Sequence, residues 1–164
     1  MNPPQLAAGG SFHQETQYMQ RNNQYTIPWD KNLNTGVKWI DEQHQLLLKK
    51  IEDMLNAIIQ KKCEKKVLSF LSFLRDYVHM HFNVEEKYMQ RYNYPDYPDH
   101  YKQHQEFNDR LKMNEEQYAV HGTSKGLAIK IEKELWDWYK SHICNYDKRL
   151  AVFLKLNKAP KKLA

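Results

Sequence analysis

At 164 residues, 41% of them hydrophobic, the chain fits one domain that can bury a sizeable core without covalent staples. Its two cysteines, Cys63 and Cys144, lie far apart with no CxxC partner, which argues against a disulfide framework or a thiolate metal site. The net charge of +5 owes much to "KKCEKK" (61–66) and "KAPKKL" (158–163), at segment ends and not along an aromatic-studded face, so no nucleic-acid partner is expected.

Residues 1–24 are rich in Gln and Asn, include the Gly9-Gly10 pair, and read as a flexible tail. They carry neither a basic n-region nor an apolar h-region, so a cytoplasmic address is the expectation. The segment "YTIPWDKNLNTGVKWIDEQ" (25–43), with Pro28, Trp29 and Gly36, reads as an extended, packed arm leading into a helix.

Four segments then show helical period. The first, about 41–60, spaces Leu47, Leu48, Ile51, Met54, Leu55 and Ile58 by three and four, behind an acidic Asp41-Glu42 opening that suits a helix N-terminus. The second, about 65–92, carries Val67, Leu68, Leu71, Leu74, Val78, Phe82 and Met89. Its longest apolar run, "VLSFLSFL" (67–74), contains two serines and falls well short of the roughly 20 residues a membrane span needs. The third begins near Pro98, which fits a first helical position, and runs through Phe107, Leu111 and Gln117. The fourth, about 124–155, has Leu127, Ile131, Leu135, Trp138, Ile143, Leu150 and Phe153. Short connections make neighbours antiparallel, so the expected fold is all-α, an up-down four-helix bundle over 25–157 with an N-terminal arm and a basic C-terminal tail at 158–164.

The histidines fall in a pattern across these helices. His81 and Glu85 are four apart, as are His100 and His104, so at about 100° per residue each pair projects from nearly one face. His142 and Asp147 are five apart, a gap of roughly 140°, which works only if the aspartate reaches sideways across the bundle. His44 is the single candidate on the first helix. Seven nitrogen and oxygen ligands are too many for one transition-metal ion and suit two ions sharing bridging carboxylates. "HFNVEE" or "HYKQH" alone fits a solvated helix face equally well; it is the contribution from all four helices that points to one site. His13, His79 and His121 fall outside the pattern, and Glu86, rotated by about 100° from Glu85, reads as surface charge.

The stretches "IDEQHQLL", "HFNVEEKYM", "HYKQH" and "WYKSHICNYD" resemble the hemerythrin family, most closely its single-domain bacterial members, over about 25–155. The resemblance implies a non-heme di-iron centre. His100, His104 and His142 would bind one iron, while His44 and His81 would bind the other and leave it an open position. Glu85 and Asp147 would bridge the two beside a solvent-derived oxo or hydroxo group. It further implies reversible binding of dioxygen for storage, delivery or sensing, by a protein that is not an enzyme. Leu47, Phe82, Trp138 and Ile143 are expected to line an apolar oxygen pocket. Tyr139 stands where the family commonly has leucine; its phenol either donates to bound oxygen, speeds its loss, or points its hydroxyl to the surface. The rivals are a di-iron oxidase or peroxidase, a nitric-oxide-handling protein, and a zinc-binding structural bundle. Neither Glu-x-x-His nor HExxH occurs in the chain, which weighs against ferritin-like oxidases and zinc proteases.

Overall fold

The computed structural model describes residues 19–21, 24–60, 63–122 and 125–159. Four antiparallel rods form the expected all-α bundle. Helix α1 spans Lys38–Ile59, α2 spans Cys63–Arg91 and α3 spans Tyr97–His121. The fourth rod has three contiguous pieces: α4 at Lys125–His142, a π-helical turn at Ile143–Asp147, and α5 at Lys148–Leu156. α1 packs on α2 and α4, and α3 packs on α2 and α4, which closes the bundle. No described helix is long and apolar enough to cross a membrane.

Ahead of α1 the arm is pinned at several points. Strands β1 (Met19–Arg21) and β2 (Gln24–Thr26) pair antiparallel, with Met19 opposite Thr26. Ile27 and Leu33 enter the core, and the Ile27 N–H donates to Glu52 Oε2 on α1 at 2.9 Å. Asp41 accepts from Thr35 N–H, the Thr35 hydroxyl and Gly36 N–H at 2.7–3.0 Å. This satisfies donors at the entry to α1 and fixes its angle. Gly36 adopts φ +73°, and a Cβ there would strike Lys155 Nζ, which itself donates to Thr35 O at 2.6 Å. At the other end of the α2 hairpin, Asn93 takes φ +51° and Tyr94 N–H reaches back to Met89 O at 2.8 Å, the Schellman closure that turns the chain into α3.

Of the expected tail at 1–24, residues 1–18 and 22–23, His13 among them, lie outside the described residues; so do 61–62, 123–124 and, in the basic terminal segment, 160–164.

The core falls into two apolar clusters. The larger includes Leu47, Ile51, Leu74, Tyr77, Phe82, Phe107, Leu135, Tyr139 and Ile143; the smaller is Tyr88, Met89, Tyr94, Leu150 and Leu154. On α2 and the fourth rod the polar residues singled out above lie in sequence among the members of these clusters, and on α3 His100 and His104 lie between half-buried Tyr97, packed on the smaller cluster, and Phe107 of the larger. A polar layer is therefore sealed from water on both sides.

Candidate metal centre

The seven side chains that the spacing singles out meet in this layer. His44, His81, Glu85, His100, His104, His142 and Asp147 are all buried, none more than 3% exposed. Their ligand atoms form two groups, Glu85 with His100, His104 and His142, and Asp147 with His44 and His81; within each group the atoms lie within 4.8 Å of one another.

The carboxylates connect the groups. Glu85 turns Oε1 toward His81 Nε2 (3.8 Å) and Oε2 toward His104 Nε2 (3.3 Å) and His100 Nε2 (3.5 Å). Asp147 turns Oδ2 toward His44 Nε2 (3.0 Å) and Oδ1 toward His142 Nε2 (3.0 Å) and His100 Nε2 (3.3 Å). Each carboxylate thus divides its two oxygens between a three-imidazole side and a two-imidazole side. All four of those oxygens, and His104 Nε2, are buried without a properly directed hydrogen bond among the described residues. Buried polar atoms in native proteins are rarely left so, and their convergence from several sides is what a cation would satisfy. Imidazole nitrogen with carboxylate oxygen is the donor set of Fe, Zn, Cu and Ni sites.

The reach of Asp147 is the main departure from an ideal-helix reading. A regular α-helix from 124 to 155 would leave Asp147 about 140° from His142. Instead the wider turn at Ile143–Asp147 closes an i to i+5 bond, from Lys148 N–H to Ile143 O, and brings residues five apart onto one side. No sideways reach is required.

Aromatic rings wall the site. Phe82 stacks on His104 with centroids 3.9 Å apart and planes 3° apart, and Trp138 stacks on His142 at 4.3 Å. Leu47 and Ile143 are buried in the same cluster as Phe82. Tyr139 is buried too, which removes the surface alternative, and its hydroxyl donates to the His44 backbone carbonyl at 3.0 Å.

Two outer partners escaped the sequence reading. Gln43 Oε1 lies 2.7 Å from His81 Nδ1, and Glu86 Oε1 lies 2.9 Å from His104 Nδ1. Glu86 is therefore not idle surface charge. The 100° that rotates it off the Glu85 face points it across the α2–α3 seam at a ring on the neighbouring helix. Such contacts hold an imidazole with Nε2 toward the centre and Nδ1 as donor. The adjacent Glu85-Glu86 pair was the only local signal. His79 and His121 are exposed and take no part, and Cys144 is an exposed free thiol.

Charge at the site is shared between acids and imidazoles. Burial works against ionised Glu85 and Asp147, yet the surrounding histidines hold both below the usual carboxylate range. Burial also opposes charge on His100, but the Asp147 and Glu85 carboxylates beside it outweigh that and raise its pKa to about 9. His104 is raised by Glu85 and Glu86 against the same burial. His81 is pushed down to about 4, chiefly by burial.

A helical bundle with a sealed histidine–carboxylate layer is a metal-binding bundle. The chain belongs to the hemerythrin family: the model of the hemerythrin HHE cation binding domain matches residues 35–154. It is 28% identical over 121 residues to a bacteriohemerythrin of Pseudomonas paraeruginosa (strain DSM 24068 / PA7), covering 74% of this chain and 76% of that protein. To a bacteriohemerythrin of Aquifex aeolicus (strain VF5) it is 22% identical over 122 residues, covering 74% and 92%.

Proposed function

We propose that the chain binds dioxygen reversibly at a non-heme di-iron centre, as an oxygen-storing, oxygen-delivering or oxygen-sensing protein and not as an enzyme. The observation that carries this reading is the division of each carboxylate between three imidazoles on one side and two on the other. His100, His104 and His142 would hold one iron and His44 and His81 the second, with Glu85 and Asp147 shared. By count the second iron would be held by one imidazole fewer, which would leave room for a small ligand. Ferrous iron supplies the electrons for holding dioxygen reversibly, which no side chain here provides.

The protein's own part is to orient and to exclude. Gln43 and Glu86 fix two rings from behind. Phe82 and Trp138 cover the imidazoles of the three-imidazole side, and the apolar cluster with Leu47 and Ile143 keeps water and its protons away. Two ferrous ions set against two carboxylates and one hydroxide leave about one net positive charge, which a buried site tolerates better than uncompensated acids. The histidine-dominated donor set without Glu-x-x-His favours binding over ferritin-like oxidation.

The test is spectroscopic. Purified protein loaded anaerobically is expected to take up two irons per chain and to develop a visible absorption band in air that fades under nitrogen through repeated cycles. One zinc per chain and no such band would refute the proposal. Steady dioxygen consumption with a reducing substrate would replace it with the oxidase reading.

A further inference from the structure

One buried polar side chain has no use in the site as described. Tyr77 lies on α2 one turn before His81, is 3% exposed, and stacks its ring on the His81 imidazole with centroids 5.3 Å apart. Its hydroxyl has no hydrogen-bond partner among the described residues. Burying such a group unpaired is costly, and phenylalanine would fill the same space without that penalty. Half-buried Phe73, one turn earlier with its ring centroid 5.8 Å from that of Tyr77, packs alongside with no such group to satisfy.

The position of this hydroxyl is informative. Because α1 and α2 run antiparallel, the turn that follows His44 lies level with the turn that precedes His81. Leu47, Ile51, Tyr77 and Tyr139 accordingly share one cluster, on the flank of the two-imidazole group. Tyr139 is committed to the His44 carbonyl. Apart from ring nitrogens of the site histidines, His44 Nδ1 among them, the other buried donors without partners among the described residues are two indoles: Trp138 stacks on His142, and Trp136 stacks on the Tyr139 ring. Among these, only Tyr77 stacks on a ring of the two-imidazole side.

We propose that the Tyr77 hydroxyl donates a hydrogen bond to a small anionic ligand bound on the His44–His81 side, and so selects what that side retains. This rests on the di-iron reading and deepens it. A phenol that donates to an anion in a dry pocket discriminates by charge, because a neutral ligand of the same size gains less from the donor.

Tyr77→Phe tests this with two measurements. In metal-free protein the variant should melt at the wild-type temperature or above it, since the change removes an unpaired buried hydroxyl. In ferric-loaded protein, titration with azide followed by absorbance should show about tenfold weaker binding than wild type at equal iron content, the size expected for a lost hydrogen bond to a charged group. Unchanged azide affinity at full iron loading would overturn the proposal. So would a metal-free variant that melts several degrees lower, because the hydroxyl would then have a structural partner. Wild-type protein that takes up no iron would sink the di-iron reading and this inference with it, and iron analysis separates that outcome from the others.

Discussion

Replacing Glu86 tests whether a residue outside the seven proposed ligands governs metal binding. Glu86 Oε1 sits 2.9 Å from His104 Nδ1, and the carboxylate is only 22% exposed, so water replaces it poorly. Glu86→Ala leaves the His104 Nδ1 donor buried without its partner and lets the ring rotate off its aim at Glu85. Loss of such an outer contact typically weakens metal binding by about 10- to 100-fold, which is about 1.4–2.7 kcal/mol. Glu86→Gln keeps an acceptor oxygen but removes the charge, and should fall between the alanine variant and wild type. The assay is chelator competition under anaerobic conditions with ferrous iron, alongside circular dichroism of the metal-free proteins to show equal folding. If Glu86→Ala binds iron within about twofold of wild type while folding normally, the orienting role assigned to Glu86 is wrong.

Metal uptake should depend on pH. His100 in the metal-free site holds its proton up to a pKa of about 9, so below that pH a binding metal must displace it, and apparent affinity should drop about tenfold per pH unit; a flat profile between pH 6 and 8 refutes this. Stability of the metal-free fold carries two linked signs. His100, raised, contributes stability that is lost as pH climbs through about 9, whereas His81, depressed to about 4, costs stability as pH falls from its unfolded value toward 4. Thermal melts across that range read both. Deleting exposed Asn145 shortens the His142–Asp147 spacing to that of an α-turn and should preserve metal binding, whereas inserting one alanine after Asn145 should abolish it. Metal analysis of the two variants decides, and loss in the deletion would refute the role given to the π turn. Tyr139→Phe removes the bond to the His44 carbonyl and should cost about 1 kcal/mol, seen as a drop of a few degrees in melting temperature.

Local sequence carried a great deal here because helices are local objects. Apolar residues three and four apart mark the buried faces of four segments, and the same arithmetic aligns His81 with Glu85 and His100 with His104. It also placed His44, His142 and Asp147 on the remaining rods, and the fold brings all seven into one buried layer. Helix ends were less legible. α1 starts at Lys38 and not near 41, and α3 continues to His121, because terminal turns expose residues that carry no period.

Packing alone decided the rest. The angular rule presumes 3.6 residues per turn, so it misjudged Asp147, whose register depends on a π turn that an ideal helix does not contain. It could not pair Gln43 with His81 or Glu86 with His104, since those contacts cross between helices and depend on how each rod is rotated against its neighbour. The Tyr139 hydroxyl finding a backbone carbonyl 95 positions earlier, and the Tyr77 hydroxyl finding none, are of the same kind. Sequence by itself determined which side chains lie on a common face, a matter of backbone period. The division of each carboxylate between two groups of imidazoles was set only when four rods closed around them, because it depends on side-chain torsions that close packing selects.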